Sequence, residues 1–228
     1  YNPKTARQYT DLGLLTCDED LGYDITNLFH YLTGYAPEQH YRDLLVAPQN
    51  MRARFERLIQ REIDHATAGE DGRIVAKMNQ LNDEGMIAEL YRASRAGVEV
   101  DLIVRGHCRL RPGLENYSEN IRVTSILGRF LEHTRIYYFG NGGDEAVYIG
   151  SADWMSRNLN DRVEAIAEVK SPEHRARIVD LLDRALRDGG SAWELHADGR
   201  YVRRGSPAAD QARSYQEHLM DRAREPTR

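Results

Sequence analysis

Two hydrophobic patterns interleave along this chain: strict alternation over short stretches, and apolar stripes at helical spacing over longer ones. Val98, Val100, Leu102 and Val104 alternate and predict a strand over 98–104. Residues 74–78 and 121–126 read as strands as well. Between 78 and 98, Met86, Ile87, Leu90 and Tyr91 form one stripe of a helix that Asp83 caps and Gly97 stops. Strand, helix, strand at this length predicts a βαβ unit with parallel strands. Met51, Phe55, Leu58, Ile59 and Ile63 give another stripe, with Pro48 expected in the first turn of that helix and a polar loop over 66–72. Upstream, 12–16 is strand-like, 25–33 is helical with Asp24 or Thr26 near its start, 34–42 is loop, and 44–46 is a short strand.

Downstream, Tyr137, Tyr138 and Phe139 continue a β-prone run from His133-Thr134-Arg135 into a Gly140-Asn141-Gly142-Gly143 turn. A return strand over 146–149 leads to Gly150-Ser151-Ala152-Asp153. Residues 162–169 form the next strand. Ser171-Pro172-Glu173 opens a helix striped by Ile178, Leu181, Leu182, Ala185 and Leu186 and closed by Gly189-Gly190. From Gly205 the chain is polar, a loop and a loosely held helix.

Composition adds bounds. The 228 residues are 41% hydrophobic and 29% charged, as in a soluble globular protein. No apolar run approaches the roughly 18 residues of a membrane span, and no signal-peptide pattern opens the chain. Cys17 and Cys108 lack metal-ligand neighbours and suit a reducing cytoplasm. A net charge of −5 counts against nucleic acid as the partner without excluding a local arginine cluster. Arg52, Arg54, Arg57 and Arg61 could form such a cluster. Such a run, alternating with Glu56 and Glu62, is more often a solvated face.

The stretch 131–164 carries the candidate chemistry. Alternation puts His133 and Arg135 on one strand face opposite a Gly-Ser turn. A planar arginine fork, a histidine and spare backbone donors suit a phosphate. Arg105, at the carboxyl end of its strand, is where active groups of α/β sheets gather. A structural ion pair for Arg105, and a core or capping hydrogen bond for His133, are the bland alternatives.

The unit resembles the H-x-K … G-S-x-N signature of the phospholipase D superfamily, with Arg135 for the lysine and Asp153 for the asparagine. It is more similar to the C-terminal part of bacterial polyphosphate kinases. Residues 1–11 match that family's G-T-G-N-[YF]-N-x-K-T-A-R-x-Y-T-D from the aromatic residue onward, and 77–120 resemble it again. The resemblance implies an α/β fold: a phospholipase D-like mixed sheet flanked by helices on both faces. Residues 1–43 would be the tail of a first catalytic domain, 44–205 a second domain, and 206–228 a polar tail with helical character. It also implies that Tyr9 packs on the adenine of ATP, that Arg105 contacts its phosphates, and that His133 is catalytic and lies near them. Arg162 joins this set from a weak internal repeat, residues 1–11 against 154–164, which would bring Tyr9 to Arg162. Asp11 or Glu164 could hold an arginine or Mg²⁺.

The implied reaction passes the ATP γ-phosphate, with Mg²⁺, through a phosphohistidine to inorganic polyphosphate. That histidine belongs to a K-I-H-x-K motif expected upstream of Tyr1, so the chain reads as part of a longer protein. No metal ligands are assigned within it. Expected partners are ATP, ADP and polyphosphate, not nucleic acid. Homo-oligomerisation through the full-length protein is implied too, with membrane association in some members. Two other readings stay open: a non-catalytic polyanion-binding module using the 52–61 arginines, and a degenerate phospholipase D-like hydrolase. The second is weakened by the absence of any H-x-K.

Overall fold

The computed structural model describes residues 2–4, 6–34, 40–205 and 214–224. Tyr9–Thr10 (β1) and Glu19–Leu32 (α1) come first, then Leu45–Ala47 (β2), Met51–Thr67 (α2), Arg73–Met78 (β3), Glu84–Arg95 (α3) and Glu99–Val104 (β4). Ile121–Ile126 (β5), Leu131–Glu132 (β6), Arg135–Phe139 (β7), Ala146–Gly150 (β8), Ser156–Asn160 (α4) and Glu164–Glu168 (β9) follow. Pro172–Leu186 (α5), Ala192–Leu195 (β10), Tyr201–Arg203 (β11) and Tyr215–Arg224 (α6) complete the order.

Nine strands make one mixed sheet in the order β11-β10-β5-β4-β3-β7-β8-β9-β2, and β1 pairs with β6 apart from it. The βαβ expectation holds: β3 and β4 are parallel neighbours in register from Arg73–Glu99 to Met78–Val104, with β5 parallel beyond them. β7 runs antiparallel to β3, and β8 antiparallel to β7. This alternation of side chains feeds two cores, with helices on both faces as expected. Ile74, Ala76 and Met78 of β3 pack with Phe55 and Ile59 of α2 and Met86 and Leu90 of α3. Val75 and Ile103 turn to the other face, against Ile178 and Leu182 of α5 and Tyr215 of α6. Phe55 is fully buried between the rings of Tyr137 and Trp154. Truncating such a side chain to Ala typically costs about 3–5 kcal/mol.

Several local expectations shift. Residues 12–16 form no strand, because no neighbouring strand pairs with them. α1 starts at Glu19, six residues early, because the Asp18 carboxylate caps Leu21 N at 3.0 Å. Asp24 lies inside the helix, buried, accepting from the backbone of Arg42, Asp43 and Leu44 and so fixing the entry to β2. Pro48 precedes α2 rather than opening it. Asn50 ties back to Val46 N and Leu44 O, so the helix begins only at Met51 and then runs on to Thr67, into the expected loop. His133 precedes β7, which begins at Arg135, so the strand face the two were expected to share does not form. α4 and the β10–β11 pair were not foreseen. Nor is the C-terminal helix loosely held: Tyr215 and Gln216 are buried. The expected tail residues 206–213 and 225–228 lie outside the described residues, as does Tyr1 of the internal repeat.

Candidate functional site

Register assembles the site. β3 and β4 run parallel and deliver Asn79 and Arg105 at their carboxyl ends. β7 is antiparallel to β3 with Ile136 opposite Lys77, so the start of β7 arrives at that same end and brings His133, Thr134 and Arg135. β8 returns along β7 and places Gly150 opposite Arg135. β1 then pairs with β6 and lays Tyr9, Thr10 and Asp11 across the top. The result is a cleft of about 410 Å³ whose lining includes Asp11, Leu12, His133, Arg135, Gly150 and Ser151. Gly150 is needed for close approach: a Cβ there would meet Ala165 O at 2.2 Å.

Three consecutive carbonyls around the histidine are each held by a side-chain donor. Arg105 Nη1 donates to Glu132 O at 3.0 Å. Arg135 Nη1 and Asn79 Nδ2 donate to His133 O at 2.9 and 3.2 Å. Lys77 Nζ donates to Thr134 O at 3.2 Å. The His133 N–H in turn donates to Thr10 O at 3.3 Å. A backbone so clamped holds its side chain in place without rearrangement.

The charges pair off around this frame, with one exception. His133 Nδ1 lies 2.8 Å from Asp11 Oδ2, and Tyr9 packs edge-on against the imidazole at 5.0 Å between centroids. Arg135 Nε reaches Asp153 Oδ1 at 3.1 Å, while its Nη1 sits 3.0 Å from His133 Nε2. Asp153 also accepts from Asn79 N at 2.8 Å. Lys77 and Glu132, 2% and 3% exposed, pair at 3.0 Å. Burial pushes the Lys77 ammonium below its ordinary pKa, and Glu132 opposes that shift. Arg105 forms no ion pair among the described residues. Its guanidinium is pushed down by burial first, with Arg135 acting in the same sense and Asp153 and Tyr9 opposing.

The expected site residues therefore divide. Tyr9 packs on His133, while Arg105 reaches the neighbouring Glu132 carbonyl and lines an adjoining cavity of about 370 Å³ with Gln8, Phe130 and Glu132 rather than the His133 cleft itself. Arg135 is close by but committed to Asp153 and His133, so it orients the histidine rather than offering a vacant fork. Arg162 sits exposed in the bend ahead of β9 and is not in the cleft lining. Trp154, which the repeat set opposite Tyr1, is fully buried core. Asp11 holds His133, whereas Glu164 accepts from Asn158 Nδ2 at 3.1 Å. Lys77, Asn79 and Glu132 were missed. A lysine followed two residues later by an asparagine, at the end of an otherwise apolar strand, was the available signal. Among the described residues, the acidic trio close enough to share a cation is Asp18, Asp20 and Asp43, outside this cleft, and Lys170 bridges Asp18 and Asp43.

Known proteins match this chain along most of its length. The family model for polyphosphate kinase C-terminal domain 2 matches residues 44–216, and that for C-terminal domain 1 matches residues 1–38. A polyphosphate kinase of Synechocystis sp. is 58% identical over 216 residues, 95% of this chain and 30% of that protein. One of Streptomyces coelicolor is 49% identical over 225 residues, 98% of this chain and 30% of its own length. The crystal structure of polyphosphate kinase from Porphyromonas gingivalis superposes with a TM-score of 0.85 at 40% identity, covering 93% of this chain and 33% of that one. The chain thus spans about a third of the length of these relatives.

Proposed function

The chain belongs to the polyphosphate kinase family, and we propose on that premise that it supplies the nucleotide- and phosphate-holding part of an ATP:polyphosphate phosphotransferase. The observation that carries this is Arg105: a half-buried guanidinium with several donors to spare, held at the Glu132 carbonyl one residue from His133, with Tyr9 near it and no carboxylate of its own among the described residues. A cation desolvated without a partner is stabilised by an incoming anion, and a phosphate suits the guanidinium fork.

In this reading Arg105 meets the ATP phosphates. Tyr9 packs on the adenine. His133, paired through Nδ1 with Asp11, would as an imidazolium donate from Nε2 toward the oxygens on which charge develops during transfer, with the Arg135 guanidinium turning from that nitrogen to the phosphate. The cleft's cations fit a nucleotide polyphosphate. No carboxylate trio is offered to Mg²⁺ in it among the described residues, so the ion would enter bound to the phosphates, where it supplies charge neutralisation. Arg162 keeps a place in the proposal only as an exposed cation that a polyphosphate chain could reach. Residues 1–43 would close the first of two half-domains and 44–205 would form the second, the two facing the shared cleft. The family assignment extends the proposal to a cytoplasmic homo-oligomer, membrane-associated in some members. No described helix is long and apolar enough to cross a membrane.

No K-I-H-x-K string occurs in this sequence, so this chain alone should carry no acid-labile label from ATP and make no polymer. Incubation with γ-labelled ATP and Mg²⁺ tests that, and label on the chain would refute it. The wider reading is tested by thermal-shift titration of the full-length protein with ATP, polyphosphate and duplex DNA. Stabilisation by the first two and not by DNA is expected. Equal stabilisation by polyphosphate and DNA, with none by ATP, would favour a general polyanion-binding module.

A further inference from the structure

Gln216 lies in the first turn of α6, 2% exposed and far in sequence from every other site residue. All of its side-chain hydrogen bonds go to one stretch. Oε1 accepts from Phe130 N at 2.8 Å, and Nε2 donates to Phe130 O at 2.8 Å and to Glu132 Oε1 at 2.6 Å. The amide thus satisfies both backbone groups of Phe130, as a neighbouring strand would. The other oxygen of Glu132 accepts from Lys77 Nζ at 3.0 Å and from Thr10 Oγ1 at 3.2 Å. Lys77 passes the constraint on to Thr134 O. Glu132 and Thr134 are the residues on either side of His133.

We propose that Gln216 is a positioning residue: through Glu132 and Lys77, α6 fixes the backbone that carries His133, and the C-terminal helix is thereby part of the transfer site. This rests on the reading of His133 given above. The residue type follows from the contacts. Phe130 N needs an acceptor, while Phe130 O and Glu132 need donors. A carboxamide offers both, and a carboxylate would set like charge against Glu132. Gly128 gives an independent handle. A Cβ at that position would meet Gln216 Oε1 at 2.5 Å and Cδ at 2.8 Å, and Gly128 is not in the left-handed region. Gly128→Ala is therefore tolerated by its own backbone and displaces the Gln216 amide.

The test compares Gln216→Met, Gly128→Ala, His133→Ala and the double variant Gln216→Met/His133→Ala in full-length protein. Steady-state kinetics and thermal melts are the readouts. Loss of hydrogen bonds to a charged acceptor should lower kcat about tenfold in each of the first two, with KM for ATP within about twofold. In the His133→Ala background, Gln216→Met should cost about twofold or less, because the two act as a unit. Undiminished kcat in both Gln216→Met and Gly128→Ala, with His133→Ala impaired, overturns the positioning role alone. So does a loss in the His133→Ala background as large as in the wild type, which marks a merely structural residue. Full turnover in His133→Ala overturns the reading of the histidine, and this inference with it. Should Gln216→Met fail to fold, Gly128→Ala decides the matter with every site side chain retained.

Discussion

The arginines of α2 and the arginine at the end of β4 are the same chemical group in opposite circumstances. Arg52 forks onto Asp83 at 2.9 and 2.7 Å, Arg54 donates to Arg42 O, and Arg61 lies 3.6 Å from Glu62. Arg57 is exposed. Read as a string, this is the densest basic run in the chain. Read as a surface, Arg52 ties α2 to Asp83 and Asn160, Arg54 holds a loop carbonyl, and Arg61 stays beside a carboxylate of its own helix. Arg105 stands alone in the sequence between Val104 and Gly106, yet it is half-buried, has no carboxylate partner among the described residues, and is held at the carbonyl just before His133 with Tyr9 near it. What marks an anion site is charge buried without a counter-ion, not the count of charges along the chain.

The largest effect that would sharpen this contrast is loss of His133. In full-length protein, His133→Ala should cut kcat about a hundredfold with KM for ATP near normal, because a donor aimed at developing charge acts in the transition state. Near-normal turnover in steady-state assays would return His133 to a structural role. Arg105→Ala should lower kcat/KM about thirtyfold, shared between the two constants, since a phosphate contact exists before and during transfer. Arg57→Ala in the same assay should change neither. Tyr9→Ala should raise KM for ATP by roughly tenfold and spare kcat, as stacking on a base is ground-state binding.

The smallest effect on activity belongs to Arg52→Ala, which should act on stability instead. Burial alone would raise the Asp83 carboxyl, but hydrogen bonds from Arg52, Met86 N and Ser156 outweigh it and hold the group below its usual value. A depressed folded pKa contributes stability above the unfolded value, near 4, and loses it as pH falls through the folded value. Asp101, which burial would raise and Arg122 and Arg73 hold down, behaves alike. The wild type should therefore lose stability in the acid below pH ~4. Arg52→Ala should cost about 2 kcal/mol at neutral pH and shift the acid limb upward, as seen by melting at a series of pH values. A compound fall in kcat would instead make α2 part of the site.

Much of this molecule was legible because local rules and global packing agree. Asp83 caps α3 and Ser171 caps α5 through the side-chain bonds that their positions suggest. The alternation in β4 and the hairpin of β7 and β8 are where the pattern put them. Tyr9 packs on His133, and Arg105 reaches the adjoining Glu132 carbonyl, because the long matched strings carried tertiary information that a single strand cannot. What stayed hidden depends on partners distant in sequence. Lys77 in an apolar strand makes sense only beside Glu132, and the polar 214–224 segment docks only because Gln216 finds Phe130 and Glu132. Glu194 and Trp193 gave no strong strand signal, yet β10 forms because β5 offers an open edge. The internal repeat misled for the opposite reason. It matched Arg162 to Tyr9 by offset, without a strand register to bring them together.

The central claim, that phosphates settle at Arg105 rather than on the α2 arginines, is tested most directly by calorimetric titration of ATP into full-length protein and into Arg105→Ala and Arg57→Ala. The dissociation constant should rise about tenfold for Arg105→Ala and stay at the wild-type value for Arg57→Ala. Weakening confined to Arg57→Ala, with Arg105→Ala binding as the wild type does, would contradict the account.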